Sequence, residues 1–320
     1  MDWTTPLKTQ QADFIQRLKS ADLLHCDKEG QHSEFTVISG ERLTQLRDFC
    51  WEMVGKFKPN NSKNHFIKNM TGKLGEEVVK TRLSEFITEI DYERRIGGDG
   101  KVDFTLINDP SVGIQVKARH GSFDKVRWSI SREEIEKNAV LVCILIQEEV
   151  SEARTEYNLI FAGFLPTSMI TSTVANPSVR INELLYSGGL RSYLDNLISD
   201  KIHEYMRLGN ECLEKKDYED AIDYYTQVLQ LKPNHADAYY YRGYAYDDIE
   251  YYDGAIEDYT QVIKIDPNYA HAYWNRGVAR SDLGYKRSAI KDFQTAASIY
   301  QKEGKEKDYQ YAMQQVKKLM

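Results

Sequence analysis

The chain has 320 residues, with 42 Lys and Arg against 49 Asp and Glu, so its formal net charge is −7. A hydrophobic fraction of 41% and a mean hydropathy of −0.59 exclude extended disorder, and the length suffices for roughly two domains. The longest apolar run covers only residues 139–146 and no signal peptide opens the chain, so we expect a cytoplasmic protein without a membrane partner. The four cysteines have no CxxC spacing and are expected to be reduced thiols: Cys26, Cys50, Cys143 and Cys212.

Two amphipathic patterns predict helices near the N-terminus. They cover residues 9–18 and 41–57, and Ser39 is a suitable N-cap for the second. We expect residues 1–66 to form a helical extension. Residues 56–73 then carry five lysines and no acidic residue, which fits either a segment along a phosphate backbone or a solvated linker.

The pattern of residues 67–200 predicts a helix followed by paired strands. Apolar residues recur at helical spacing around residues 74–86, so Glu76 or Glu77 projects from a helix whose other side is buried. Residues 101–107 and 112–118 alternate between apolar and polar, and the turn sequence at 108–111 joins them into a hairpin. If position 103 lies opposite 117, then Asp103, Gln115 and Lys117 gather on one face of the sheet.

These residue types suit a magnesium site. Hard carboxylate and amide oxygens bind Mg²⁺, and the metal polarises a phosphate and lowers the pKa of a bound water. A nearby ammonium stabilises the negative charge that develops in the transition state.

Three short motifs carry a family resemblance. Gly75-Glu76, Val102-Asp103-Phe104 and the segment Gln115-Val116-Lys117-Ala118-Arg119 resemble the glutamate helix, the aspartate and the (D/E)xK element of the PD-(D/E)XK nuclease superfamily. The branch that they resemble includes Holliday-junction resolvases and Mrr-type restriction endonucleases. Gln115 stands where the commonest pattern has a carboxylate, so this would be a QxK variant. The residue before the aspartate is also not the usual proline.

The resemblance implies a restriction-endonuclease-like α/β domain, a mixed sheet flanked by helices, in which residues 139–147 and 157–165 complete the sheet. It implies catalytic roles for Glu76, Asp103, Gln115 and Lys117. It also implies that Asp103, Gln115, Glu76 and the carbonyl of Val116 hold Mg²⁺, which Mn²⁺ can replace.

A local basic excess follows the last motif. Residues 117–132 contain five basic side chains and one acidic side chain. We expect Arg119, Lys125 and Arg127 to contact DNA phosphates, although an ordinary exposed loop and strand would have the same composition. His120 either assists proton transfer or is a surface residue. A homodimer is compatible with such an activity, because cutting both DNA strands usually requires two active sites.

The last 120 residues are a repeat, and 18 of the 22 tyrosines lie there. Pro233 and Pro267 are 34 residues apart, and small residues, aromatics and the surrounding sequence match at the same period. The units 202–235, 236–269 and 270–303 each resemble a tetratricopeptide (TPR) repeat, although Gln301 replaces the proline in the third. We therefore expect an all-α TPR solenoid in residues 201–304, closed by a capping helix in 305–320; an unrelated helical bundle is the alternative.

The resemblance to TPR proteins implies a peptide-binding groove lined by the first helix of each unit. We expect Asn210, Tyr240, Tyr244 and Trp274 to contact the peptide. The other groove positions in this register are Met206, Leu213, Glu214, Asp237, Asp247, Asp248, His271, Val278 and Asp282. Residues 201–270 hold 7 basic and 15 acidic side chains, which favours a basic peptide, unless these charges only solvate the surface.

The two halves together predict a Mg²⁺-dependent DNA endonuclease that TPR repeats recruit or position. Two alternatives remain open. One is a nuclease fold without turnover that binds nucleic acid. The other is a TPR scaffold or adaptor in which the N-terminal domain has only a structural role.

Overall fold

The computed structural model describes residues 2–24, 33–57, 60–89, 102–171 and 174–320. It divides into two compact units, residues 1–195 and 196–320, whereas the sequence placed the boundary at residue 200. Cys26, Lys58 and Lys101, which entered the expectations above, lie outside the described residues. None of the helices in the described ranges is long and apolar enough to cross a membrane.

The first unit is built on a six-stranded mixed sheet. Its strand order is β1-β7-β6-β4-β3-β2, and β4 and β6 are parallel while the other neighbours are antiparallel. Strands β5 and β8 form a separate antiparallel pair. The strands are β1 Phe35–Ser39, β2 Ile87–Glu89, β3 Phe104–Leu106, β4 Gly113–His120, β5 Trp128–Ser129, β6 Val140–Ile146, β7 Glu156–Pro166 and β8 Ser178–Val179.

Helices cover the two faces of this sheet because β6 is buried along its whole length and needs apolar partners on both sides. On one face, Phe14 of α1 packs with Leu141 and Cys143 of β6 and with Trp128. On the other face, a Cβ on Gly75 of α3 would lie 2.7 Å from the Cβ of Ala118, so only glycine allows this approach. The helices are α1 Thr4–Ser20, α2 Gly40–Phe57, α3 Ser62–Leu83 and α4 Arg132–Lys137, with three 3₁₀ turns at Thr167–Met169, Ile181–Glu183 and Ser187–Gly189.

Residues 1–66 differ from the helical extension that the sequence suggested. They contain β1, an edge strand that pairs with β7, and α1 belongs to the same core as β6. Strand β1 is only five residues long, and Ile38 is its one fully buried side chain. An edge strand of that length leaves little hydrophobic pattern, because its backbone pairing with β7 defines it.

The hairpin of β3 and β4 has a different register from the expected one. Phe104 pairs with Ile114 and Thr105 with Gly113, so Asp103 lies opposite Gln115 and not opposite Lys117. The turn sets this register: the Val112 amide donates to the Asp109 carbonyl at 3.0 Å, and the Asp109 side chain accepts from Ser111. This tight turn shifts the pairing by two residues.

The second unit consists of antiparallel helix pairs that follow the 34-residue period. Cβ atoms on Gly209, Gly243 and Gly277 would lie 2.7, 3.1 and 2.9 Å from the rings of Tyr225, Tyr259 and Phe293, so each small residue receives an aromatic from the second helix of its own unit. The helices are α5 Leu190–Lys215, α6 Tyr218–Leu231, α7 Ala236–Asp248, α8 Tyr252–Ile265, α9 Ala270–Asp282, α10 Lys286–Lys302 and α11 Glu306–Leu319.

The prolines explain the lengths of the second helices. Helices α6 and α8 have 14 residues each and end just before Pro233 and Pro267. Helix α10, where Gln301 replaces the proline, continues for 17 residues to Lys302. A proline lacks an amide donor and clashes with the preceding turn, so its absence lets the helix continue.

Candidate functional site

The nuclease-like motifs lie on both faces of β4. Val116 and Ala118 point towards α3, as their approach to Gly75 shows. Since side chains alternate along a strand, Gln115 and Lys117 point to the opposite face. The helix that carries Glu76 therefore packs on the face of β4 that Lys117 does not occupy.

Asp103 is bound tightly to β4. One of its carboxylate oxygens accepts from the Gln115 side-chain amide at 2.6 Å and from the Val116 backbone amide at 2.7 Å. Both Asp103 and Gln115 are buried. The Oε1 atom of Gln115 is buried and has no hydrogen-bond partner among the described residues.

Lys117 forms an ion pair with Glu134 of α4, with Nζ 2.5 Å from Oε1. Burial alone would raise the pKa of Glu134, but the bonds from Lys117 and from the Ser131 backbone amide hold this pKa below its usual range. Glu134 also completes the N-terminal capping box of α4 with Ser131. The sequence analysis missed this partner, although Ser131 followed three residues later by Glu134 is a capping signal.

Glu76 is paired within its own helix. Lys73 Nζ lies 2.5 Å from Glu76 Oε2, and the Lys73 chain packs over Phe49. Burial lowers the pKa of Lys73, but the charges of Glu76, Glu89 and Asp103 outweigh burial and raise it. An ammonium therefore supplies the positive charge near these carboxylates.

The expected metal ligands fit a cation in part. Asp103 and Gln115 face each other, and the unpartnered Gln115 Oε1 is an oxygen that a hard cation would accept. Glu76 is held by Lys73, on a helix that packs against the other face of β4. Across the described ranges, no group of three or more His, Cys, Asp or Glu side chains is arranged to hold a metal ion.

The expected DNA contacts are exposed. Arg119 lies near the end of β4, and Lys125 and Arg127 alternate with the buried Val126 and Trp128. His120 is exposed as well. The earlier lysine-rich segment is not a linker over its whole length, because Lys63, Lys68 and Lys73 belong to α3. Lys63 and Lys68 are exposed, whereas Lys73 is half-buried.

The first helices of repeats 2 and 3 carry a joint polar and aromatic surface. The Asn275 amide of α9 donates to the Tyr240 hydroxyl of α7 at 3.2 Å. Trp274 packs between Phe293 and Tyr311, with ring centroids 5.0 and 4.9 Å away, and is half-buried. Tyr244 is 43% exposed.

The first repeat offers less free surface than expected. The exposed Asn210 already accepts a hydrogen bond from the Tyr225 hydroxyl at 2.8 Å. Met206 and Leu213, which we expected in the groove, are partly buried against the core of that repeat. Val278 of the third repeat packs in the same way against Phe293 and its neighbours.

Buried ion pairs join consecutive repeats at the same period. The Arg242 guanidinium binds both oxygens of Asp258 at 2.7 and 2.8 Å and donates to Thr226 of the preceding repeat at 3.0 Å. Arg276 repeats this geometry with Asp292 and Thr260, 34 residues further on. The Arg-Gly pairs were visible in the sequence, but their partners 16 residues away were not identified.

Repeat 2 also contains two buried polar atoms without partners. The Oδ1 atom of Asp247 and the hydroxyl of Tyr259 are both buried, and neither makes a hydrogen bond with the described residues. Burial, followed by the charges of Asp282 and Asp248, raises the pKa of Asp247 to about 6.

Models of known families match three segments of the second unit. The model described as "Tetratricopeptide repeat" matches residues 204–235 and, in a second version, 270–303. A model described as "TPR repeat" matches residues 250–284. None of the curated proteins compared with the chain matches it.

Several solved structures are similar to part of the chain. The TPR domain of Arabidopsis OM64 is 25% identical, and the match covers 38% of this chain and 99% of that domain with a TM-score of 0.36. A TPR2B domain of yeast Sti1 in complex with an Hsp70 peptide is 24% identical, with 37% and 95% coverage and a TM-score of 0.36. The second TPR domain of human RPAP3, in complex with the HSP70 peptide SGPTIEEVD, is 30% identical, with 38% and 97% coverage and a TM-score of 0.35.

The family matches agree with the 34-residue period, the glycine–aromatic contacts and the paired helices. The first unit has a mixed sheet with helices on its faces. The C-terminal part of the chain contains tetratricopeptide repeats.

Proposed function

We propose that the repeats bind a basic peptide segment of a partner protein, and that the chain acts as a scaffold or adaptor. The observation that carries this proposal is an acidic and aromatic stripe on α7. Asp237, Tyr240, Tyr244 and Asp248 recur at spacings of three and four residues, which places them on one helix face. Asp237, Tyr244 and Asp248 are exposed.

The neighbouring helix extends this stripe. Asp282 of α9 is exposed, and the Asn275–Tyr240 bond ties α9 to α7. Residues 201–270 as a whole have a net charge of −8. A peptide that presents Lys or Arg together with aromatic or apolar side chains complements such a surface.

Binding of defined peptide pools to the full-length protein tests this proposal. Three fluorescein-labelled pools of 12-residue peptides share the same aromatic and apolar positions. Their remaining positions are Lys and Arg in the first pool, Gln and Asn in the second, and Glu and Asp in the third. We expect the basic pool to bind about 10-fold or more tightly than the neutral pool by fluorescence anisotropy, with a decline in high salt.

The peptide SGPTIEEVD, which the human RPAP3 domain holds, serves as an additional acidic control and is expected to bind poorly. A Tyr244→Ser variant should weaken binding of the basic pool. Tyr285→Ser is its matched control, because Tyr285 is 57% exposed but lies at the start of α10, outside the stripe. Equal binding of all three pools, or binding of none, would contradict the proposal.

A second candidate function is supported by the pair of Asp103 and Gln115. We propose for the first unit a Mg²⁺-dependent cleavage of DNA, in which Asp103 and Gln115 would hold the metal. The unpartnered, buried Gln115 Oε1 favours this candidate, since a buried amide oxygen normally has a partner. A bound Mg²⁺ supplies charge neutralisation at the scissile phosphate.

The residues of the chain would divide the other tasks. Lys117 lies beside Gln115 on the same strand face and would stabilise negative charge on the phosphate once its pair with Glu134 opens. The exposed Arg119, Lys125 and Arg127 would bind the phosphate backbone. A homodimer would provide two such sites for two strands.

Incubation with plasmid, linear and branched DNA in Mg²⁺ or Mn²⁺ tests this second candidate. Cutting should be present in the unmodified protein and in Lys8→Ala, an exposed lysine of α1, and absent in Asp103→Asn and Lys117→Ala. Circular dichroism confirms that the variants are folded. If the unmodified protein binds DNA without cutting, the first unit is a binding domain; if it does neither, the scaffold function stands alone.

A further inference from the structure

The three repeats differ at one pair of equivalent positions. In repeat 1 the Tyr225 hydroxyl donates to Asn210. In repeat 2 the same two positions hold Tyr259 and Tyr244, and in repeat 3 they hold Phe293 and Val278. Repeat 2 therefore keeps the buried hydroxyl but has no asparagine to accept its proton.

Tyr259 shows the consequence of this exchange. Its side chain is 0% exposed, and its hydroxyl has no hydrogen-bond partner among the described residues. A buried hydroxyl without a partner loses the bonds that water would give it, so such groups are rare in folded proteins.

Asp247 is a second exception, one turn along α7 from Tyr244. The equivalent positions in repeats 1 and 3 hold Leu213 and Ser281, so only repeat 2 has a carboxylate there. Its Oδ1 atom is buried and unpartnered, while the residue as a whole is partly exposed. The carboxylate can therefore be reached from outside.

These two groups lie near each other without bonding. Burial raises the pKa of Tyr259, and the negative charge of Asp247 raises it further. Asn275, which donates to Tyr240, also lies close enough to lower the pKa of Tyr259. We name these four residues, together with Asp282 of α9, the repeat-2 polar site: Tyr240, Asp247, Tyr259, Asn275 and Asp282.

We infer that the repeat-2 polar site takes the ammonium group of a lysine side chain from the bound partner. This inference rests on the proposed peptide-binding function. An ammonium has three donors and no acceptor. Asp247 Oδ1, the Tyr259 hydroxyl oxygen and the Asn275 amide oxygen are acceptors of three different kinds, and two further carboxylates, Asp282 and Asp248, act on Asp247.

The geometry favours lysine over arginine. A guanidinium is planar and binds best to both oxygens of one carboxylate, as Arg242 binds Asp258 within this chain. At Asp247 the acceptors belong to separate side chains. A compact, rotatable ammonium can bond to several such acceptors, whereas a planar fork cannot.

The test uses the full-length protein and three forms of the basic 12-residue pool. In one form every basic position is Lys, in the second N-ε-acetyl-lysine and in the third Arg. We expect the Lys pool to bind about 10-fold or more tightly than the acetylated pool, and more tightly than the Arg pool, because acetylation removes the charge.

Two variants locate the effect. Asp247→Asn should weaken binding of the Lys pool about 10-fold and leave the acetylated pool unchanged, and Tyr259→Phe should weaken it several-fold. Asp223→Asn, an exposed carboxylate of α6, and Tyr225→Phe, the equivalent tyrosine of repeat 1, are matched controls that should stay within about twofold of the unmodified protein. Circular dichroism and denaturation curves verify the folding of each variant.

Three other outcomes would overturn the inference. If the Lys pool binds the unmodified protein and Asp247→Asn equally, the peptide-binding function stands but the lysine lies elsewhere. Preference for the Arg pool would reject the ammonium assignment. If no pool binds, the proposed function fails together with this inference.

Discussion

The two units differ in how they treat the side chains that suggest function. In the first unit, Glu76 is paired with Lys73, and Lys117 is paired with Glu134. In repeat 2 of the second unit, the Asp247 carboxylate and the Tyr259 hydroxyl each retain an unpartnered polar atom. Paired groups stabilise the unit that contains them, while unpaired buried groups cost stability and indicate a ligand.

The comparison teaches that a chemically suggestive motif is weaker evidence than an unsatisfied one. The nuclease-like residues fit a site on paper, but most of their charges are neutralised by neighbours within the unit. Gln115 Oε1 is the exception, and it is the atom that keeps the nuclease hypothesis testable. In the repeats, the 34-residue period shows at once which position departs from the pattern.

Breaking an ion pair between repeats should have the largest effect. Arg242→Leu leaves Asp258, which is 3% exposed, without its bidentate partner. We expect a loss of about 3–5 kcal/mol in the free energy of unfolding, measured by urea denaturation at neutral pH. The loss should shrink in acid, because a protonated Asp258 no longer needs a cation.

Repeat 1 supplies the control for this variant. Leu208 and Tyr224 stand at the positions of Arg242 and Asp258, and they form no ion pair. The double variant Arg242→Leu/Asp258→Tyr should therefore recover most of the lost stability. Failure to recover would mean that packing around Arg242, and not its charge, stabilises the repeat.

Removing the ammonium of Lys117 tests whether its pairing stabilises the first unit. Lys117→Met leaves Glu134, whose side chain is 12% exposed, without a cation. We expect a loss of about 2 kcal/mol at pH 7. Since the pair depresses the pKa of Glu134, its contribution is present above the unfolded pKa near 4.5 and is lost as the pH falls below it.

Lys137→Met is a suitable control in the same region. Lys137 pairs with Glu133 on the exposed surface of α4, and such pairs contribute about 0–1 kcal/mol. Thermal and urea denaturation between pH 3 and 7 would measure both variants. Equal effects of the two substitutions would contradict the comparison between paired and unpaired groups.

The pH dependence of Asp247 should have the opposite sign. Its pKa is about 6 in the folded chain against 3.8 for an ordinary aspartate, so its contribution is fully present below pH 3.8 and is lost as the pH rises through 6. We expect Asp247→Asn to be more stable than the unmodified protein by about 1–2 kcal/mol at pH 7, with solvent at its exposed edge taken into account, and equal to it near pH 3.5.

The groups that act on Asp247 define its control. They are Asp248 on α7, Asp282 on α9 and Tyr259 on α8, and Tyr252 at the start of α8 also senses its charge. Asp223→Asn, on the exposed face of α6, should not change the pH dependence. A flat difference between Asp247→Asn and the unmodified protein across pH 4–7 would show that Asp247 is solvated.

The smallest effect separates the two equivalent tyrosines. Tyr225→Phe removes a hydroxyl that donates to Asn210 and should cost about 1 kcal/mol. Tyr259→Phe removes a hydroxyl without an acceptor and should be neutral or slightly stabilising. Parallel urea denaturation of both variants checks the difference, and an equal cost would mean that Tyr259 is satisfied by solvent.

The sequence alone determined the repeats. A period of 34 residues matched three times specifies helix pairs, because small and aromatic residues at fixed offsets must meet across each pair. It also predicted the strands β4, β6 and β7, whose apolar runs are long. These features depend on local spacing, which the chain carries in every part of its length.

Only the tertiary structure decided how the candidate residues are paired. The turn at Asp109–Ser111 set the hairpin register that places Asp103 opposite Gln115, and the packing of α3 at Gly75 separated Glu76 from Lys117. The partners of Arg242 and the isolation of Asp247 likewise depend on which helices become neighbours. Hydrogen-bond satisfaction is decided by such neighbours, and spacing along the chain cannot specify it.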